Sequence, residues 1–141
     1  MSKVIYTGIF FDFDDQDRES LINLAGGIDM PNEFLHHVTL QFRPKADSGH
    51  LMRVLEHEGM DVEVRIVGVA VGPDVAALAV ELSPELTDLG IDSANAVPHL
   101  TVATREGVKP FEANNALYTP LDEKSQFITT GTLGAFRGGS R

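Results

Sequence analysis

The sequence predicts a single α+β domain with a mostly antiparallel sheet. Three observations carry this. Stretches with strand character outnumber helical ones, helical periodicity is confined to short segments, and no Pro-, Gly- or Ser-rich linker divides the 141 residues.

Taken in order, Val4–Phe11 is rich in β-branched and aromatic residues and reads as a strand. Acidic residues at Asp12–Asp15 precede a helix across Arg18–Ala25. There Leu21, Leu24 and Ala25 recur at helical spacing, and Gly26-Gly27 stops it. Pro31-Asn32 leads into a strand at His36–Phe42, closed by Arg43-Pro44-Lys45. Leu51, Met52 and Leu55, followed by His57-Glu58-Gly59, predict a second helix of two or three turns.

From Asp61 the period changes to two. Val62, Val64, Ile66, Gly68 and Ala70 alternate with Asp61, Glu63, Arg65, Val67 and Val69, and Gly72-Pro73-Asp74 turns the chain into a partner strand at Val75–Leu82. Ser83–Ala96 reads as a polar connection, and Val97–Thr104 as a strand led in by Pro98. A helical turn is expected near Ala113–Leu117, after Gly107-Val108-Lys109-Pro110. A last strand is expected within Phe127–Phe136. The domain is set at residues 1–136, with 137–141 as a loose tail.

Composition narrows the functional classes. A chain 43% hydrophobic and 23% charged is an ordinary globule, long enough to bury a core without disulfides or metals. The lack of cysteine removes disulfides, thiolate metal sites and a cysteine nucleophile, and fits a reducing cytoplasm. The N-terminus shows no secretory pattern and no apolar stretch approaches a membrane span, so a cytoplasmic protein is expected. Eleven basic residues stand against twenty-one acidic ones, a net charge of −10. Such a surface repels polyanions, so an extended nucleic-acid face is not expected, while a small phosphorylated ligand in a local pocket is allowed.

Two short phrases carry the chemistry: His37-Val38-Thr39-Leu40 and His99-Leu100-Thr101-Val102. Strand side chains alternate between faces, so each phrase offers an imidazole and a hydroxyl on one face and two apolar residues on the other. A single histidine in a strand is usually structural. Here two of only five histidines repeat the same four-residue pattern. With one phrase per lobe of a two-lobed domain, the histidines would face each other across a cleft. Between them, hydrolysis of a phosphodiester needs a base for water and an acid for the leaving oxygen, and imidazole suits both near neutral pH. The hydroxyls of Thr39 and Thr101 supply donors for phosphoryl oxygens. Two lone histidines make a poor metal site, so neither metal nor other cofactor is expected.

Paired His-x-Thr phrases resemble the 2H phosphoesterase superfamily. It includes RNA 2′,3′-cyclic phosphodiesterases, the cyclic phosphodiesterase domain of fungal tRNA ligases and plant ADP-ribose cyclic phosphodiesterases. Tyr6-Thr7-Gly8-Ile9-Phe10-Phe11-Asp12, the context His36-His37-Val38-Thr39-Leu40, and Gly107-Val108-Lys109-Pro110 followed by Asn114 are most similar to the branch with the fungal ligase domain and small bacterial or phage proteins. The resemblance implies a two-lobed, pseudo-twofold fold with helices outside and a central groove. It implies His37 and His99 as the acid/base pair and Thr39 and Thr101 as phosphate ligands, without saying which histidine is the base.

The expected activity is therefore metal-independent hydrolysis of a cyclic phosphate on a nucleotide or RNA end, a role in RNA processing. A phosphodiesterase degrading a cyclic oligonucleotide signal, or a non-catalytic cyclic-nucleotide-binding protein using the same groove, are the alternatives. The expected partner is a small cyclic-phosphate nucleotide or RNA terminus, with no membrane and the chain a monomer.

Candidate substrate contacts are Tyr6 and Phe42 as stacking rings and Arg43, Arg105 and Lys109 as cations past the phrases. Asn114 and Asn115 fit either a ligand contact or a turn cap. His36 is expected on the face opposite His37, and His50 and His57 on the surface.

Overall fold

The structure, a computed structural model, describes residues 3–26, 32–72, 74–91, 93, 97–107 and 118–138. Eight strands are present among them: β1 (Lys3–Phe10), β2 (Asn32–Glu33), β3 (His37–Phe42), β4 (Asp61–Val71), β5 (Val75–Leu82), β6 (His99–Thr104), β7 (Thr119–Pro120) and β8 (Phe127–Gly138). The helices are α1 (Asp15–Leu24), α2 (Gly49–Glu56) and α3 (Pro84–Asp88), with a 3-10 turn at Glu123–Ser125.

Each α-helix begins where a short polar side chain can accept from the first turn. The Asp14 carboxylate accepts from Asp17 N at 2.7 Å, the Ser48 hydroxyl from Leu51 N at 3.1 Å, and the Ser83 hydroxyl from Glu85 N at 3.3 Å. Helix α3 falls in a stretch read from sequence as connection only. Its signal was present: Ser83 at the cap followed by Pro84 in the first turn.

The sheet is wholly antiparallel. Its hydrogen-bonded path runs β2-β6-β3-β1-β8-β4-β5, and β5 pairs in turn with β6, so the sheet closes into a barrel-like ring. The α+β class stands, with few helices on an antiparallel sheet. The two phrases do not lie on separate sheets: β3 and β6 are neighbours, joined through Val38 opposite Leu100.

One face of the sheet builds the core. Val38 and Leu40 on β3 and Leu100 and Val102 on β6 are buried with Ile9, Val64, Ile66, Leu78 and Leu133. Leu21 of α1 and Ala25 at its C-cap, Val54 of α2 and Leu86 of α3 belong to the same cluster, so the helices pack on this face. The predicted alternation in β4 holds, with Val62, Val64, Ile66, Gly68 and Ala70 inward or half-buried against more exposed partners. At β8 the reading falls short. The strand runs to Gly138, Val4 pairs with Arg137, and the Arg137 guanidinium holds the Glu58 carboxylate, so Arg137 and Gly138 are sheet rather than tail. The helical turn expected at Ala113–Leu117 lies outside the described residues.

Candidate active site

Period-two alternation gives β3 and β6 a second, polar face opposite the core, the candidate site. With Val38 opposite Leu100 in antiparallel register, His37 falls beside Thr101 and Thr39 beside His99, all on the face away from the core. On the outer side of β3, Phe10 lies opposite His37 and Gly8 opposite Thr39. Outside β6, Ala77 lies opposite Thr101 and Ala79 opposite His99. Two rows therefore cross four strands: Phe10, His37, Thr101, Ala77 and Gly8, Thr39, His99, Ala79. The four polar side chains occupy the central square, with the histidines on a diagonal of about 7–8 Å between β-carbons. Gly8 is required there. A β-carbon on it would sit 2.6 Å from the Val38 carbonyl oxygen and push β1 away from the Thr39 strand.

The two imidazoles are held by different means and at the same atom. His99 Nδ1 lies 3.2 Å from the Val97 carbonyl oxygen; a carbonyl only accepts, so Nδ1 carries the proton and donates. His37 Nδ1 lies 2.7 Å from His36 Nδ1 and 3.5 Å from the Tyr6 hydroxyl. Among the described residues no protein group bonds Nε2 of either ring. The His37 ring also stacks with Tyr6 at 4.8 Å and with His36 at 4.7 Å, and Phe136 stacks on Tyr6 at 5.1 Å.

This packing sets the electrostatics. Burial first, and then the nearby His36 and His99, together push the His37 imidazole down to about 4. Burial also lowers His99, while the bond to the Val97 carbonyl opposes the shift. The Tyr6 phenol is raised by burial. Both catalytic candidates are thus neutral in the free protein at pH 7.

The other sequence candidates separate. Tyr6 joins the site as a stacking partner of His37. Phe42 ends β3 five residues beyond His37, about 17 Å along an extended strand, and is 64% exposed with the Arg43 guanidinium 5.3 Å above its ring. Arg105 lies just past the far end of β6, with its side chain 4.0 Å from the Asp74 carboxylate. The register therefore places Arg43 and Arg105 at opposite ends of the β3–β6 pair, away from the square. Lys109, Asn114 and Asn115 lie outside the described residues.

Two histidines differ from expectation. His36 was read onto the opposite face from His37, yet its ring stacks on and bonds to His37. The reason is local. Leu35 has φ of +62°, and the chain bends at His36, so strand alternation starts only at His37. His50 is no surface residue either, since its Nε2 lies 2.7 Å from the hydroxyl of fully buried Thr7. His57 is half-buried, and its Nδ1 donates to the Arg53 carbonyl at 2.8 Å. Missed by sequence reasoning were Phe10, Phe136 and Tyr118, the last with its ring 6.4 Å from that of His99. Alternation from Gly8 could have found Phe10; nothing local marks the others. Among the described residues no group of three or more His, Asp or Glu side chains is arranged to hold a metal ion, and no helix is long and apolar enough to cross a membrane.

The site is thus a pair of His-Thr strands side by side on an antiparallel α+β sheet, with Arg43 and Arg105 at the strand ends. The chain matches the fungal tRNA ligase phosphodiesterase domain over residues 32–134, well over half its length and including both phrases. It belongs to that family of phosphodiesterase domains. No curated protein matches it.

The contact between His36 and His37 makes a testable difference. His36→Ala removes both a neighbouring positive charge and part of the burial that depress His37. The His37 pKa is then expected to rise toward the usual 6.5, moving the acid limb of kcat/KM to higher pH with little loss at the optimum. A pH–rate profile of the variant checks this; an unmoved acid limb would show that His36 does not tune the site.

Proposed function

We propose that the protein is a metal-independent cyclic phosphodiesterase that opens a 2′,3′-cyclic phosphate, on a nucleotide or an RNA end, by two-histidine acid/base catalysis. The observation that carries this reading is the square of His37, Thr39, His99 and Thr101, with both Nδ1 atoms engaged by the protein and, among the described residues, no protein group bonded to either Nε2. Membership of a phosphodiesterase family supports it.

The two environments suggest the roles. Two imidazole neighbours disfavour a charge on His37, whereas a carbonyl favours one on His99. In this reading His37 Nε2 takes a proton from water, which attacks phosphorus. The bond from phosphorus to one ribose oxygen breaks, and His99 Nε2 gives that oxygen its proton. The Thr39 and Thr101 hydroxyls donate to the non-bridging oxygens as their charge grows.

The two-lobed, pseudo-twofold arrangement with a central groove belongs to the same proposal. The order β1, α1, β3, α2, β4 is followed by β5, α3, β6, β8, and β1 joins β3 to β8 as β5 joins β6 to β4. A twofold of this kind exchanges His37 with His99 and Thr39 with Thr101, leaving a phosphoryl group near the axis. The net charge of −10 favours a small cyclic nucleotide or short terminus over the body of a long RNA.

The test is a panel of nucleoside 2′,3′-cyclic phosphates, ADP-ribose 1″,2″-cyclic phosphate and a cyclic dinucleotide, incubated with the protein in chelator. Turnover of the first group at a rate unchanged by EDTA is expected. Loss of activity in EDTA with rescue by a divalent ion would overturn the mechanism. Tight binding without turnover would make the protein a binder.

The pH profile should be bell-shaped, with kcat/KM greatest below pH 6.5. The base must be deprotonated, so activity is lost as pH falls through about 4. The acid must be protonated, and its pKa is also lowered, so activity falls again as pH rises. Both limbs belong to the coupled pair. An optimum above pH 7.5 in kcat/KM would contradict this assignment.

A further inference from the structure

We propose that the cavity beside His99 is a nucleobase subsite and that its base is guanine; this rests on the cyclic phosphodiesterase reading above. The cavity, about 690 Å³, is lined by Arg65, Gly68, Ala79, Glu81, Tyr118 and Gln126 among others. That volume lies within the usual range for small-molecule sites.

Its position follows from register. Ala79 lies opposite His99 on β6, and Gly68 lies opposite Ala79 on β4, so the cavity begins one strand beyond the imidazole. Tyr118, whose ring stacks toward His99 at 6.4 Å, forms another part of its wall.

The two ends of the site differ in what fills them. Beyond His37, the large rings of Phe10, Tyr6 and Phe136 stack on one another. Beyond His99 the corresponding rows end in alanine and glycine. A β-carbon on Gly68 would already sit 3.2 Å from both the Ala79 β-carbon and the Thr119 carbonyl oxygen. A substrate with its phosphate on the square therefore has room for its nucleoside on the His99 side.

The polar groups decide which base fits. Glu81 and Arg65 are cross-strand partners, and Arg65 Nη1 donates to Gln126 Oε1 at 3.3 Å, which among the described residues leaves further guanidinium N–H groups for a ligand. The Glu81 carboxylate disfavours a phosphate in the cavity. It accepts well from two parallel donors. Guanine carries N1–H and N2–H₂ on one edge, with the O6 and N7 acceptors adjoining, which complements a carboxylate beside a guanidinium. Adenine places a donor where guanine has O6 and lacks the N1 proton. The Tyr118 phenol, held protonated because burial pushes it up to about 12, offers a neutral ring to the base face.

The experiment compares kcat/KM for the four nucleoside 2′,3′-cyclic monophosphates in the parent protein and in Glu81→Gln, with guanosine and cytidine 3′-monophosphates titrated calorimetrically into both. A guanosine preference of about tenfold or more is expected in both measurements. In Glu81→Gln that preference should fall by about tenfold, the guanosine rate losing more than the other three. Glu81 is exposed, so the variant is expected to fold. Turnover that ignores the base, a preference for another base, or equal slowing of all four substrates by Glu81→Gln would overturn the guanine subsite while leaving the phosphodiesterase intact. Guanosine-selective binding lost in Glu81→Gln, without turnover of any substrate, would uphold the subsite and reject the activity. Absence of guanosine-selective binding would reject the subsite.

Discussion

Alanine at His37 or at His99 is expected to lower kcat by about 10²–10⁴-fold, because each imidazole handles one proton in the same step. The double variant should be little worse than either single one, since groups acting as a unit are strongly non-additive. The fold should survive. Neither histidine belongs to the core cluster, and the apolar residues flanking them, Val38, Leu40, Leu100 and Val102, remain in place. Steady-state kinetics beside circular dichroism checks both statements. Activity within about tenfold of the parent in a folded variant removes that histidine from proton transfer.

Valine at Thr39 or Thr101 should come next in size, with kcat lowered by about 10²-fold and KM changed far less. The hydroxyls are proposed to donate to oxygens whose charge grows only as the transition state forms, so their loss is felt there. Valine keeps the β-branched shape suited to a strand, and both positions lie half-exposed on the site face, which limits structural damage. A rise in KM with kcat unchanged would show that the threonines bind only the ground state. The register makes a finer prediction. Thr39 stands beside His99 and Thr101 beside His37, so each valine variant should disturb the acid or the base limb selectively in the pH profile.

Much of this domain is legible in its sequence. The two His-x-Thr phrases identify themselves because the strand period is two: Val38 and Leu40 must go inward if His37 and Thr39 go outward, and the same rule governs β6. The hairpin of β4 and β5 is readable from period-two alternation along β4, then the turn residues Gly-Pro-Asp, then an apolar partner run. Acid/base chemistry followed from residue type alone, since imidazole is the side chain that titrates near neutral pH.

What the sequence could not supply was everything that depends on which strand lies beside which. That β3 and β6 are paired, and that a diagonal of one square relates the histidines, comes from long-range register between segments some sixty residues apart. The His37 pKa depends on its burial and on two imidazoles brought from different places: His36, folded back by the positive φ of Leu35, and His99 on β6. The position of Arg43 and Arg105 at strand ends, away from the phosphate square, is likewise a matter of register. Local period fixes what faces where along one strand. Desolvation and neighbouring charge, which set the histidines' proton affinity and the room beside His99, arise only when separate strands are packed together.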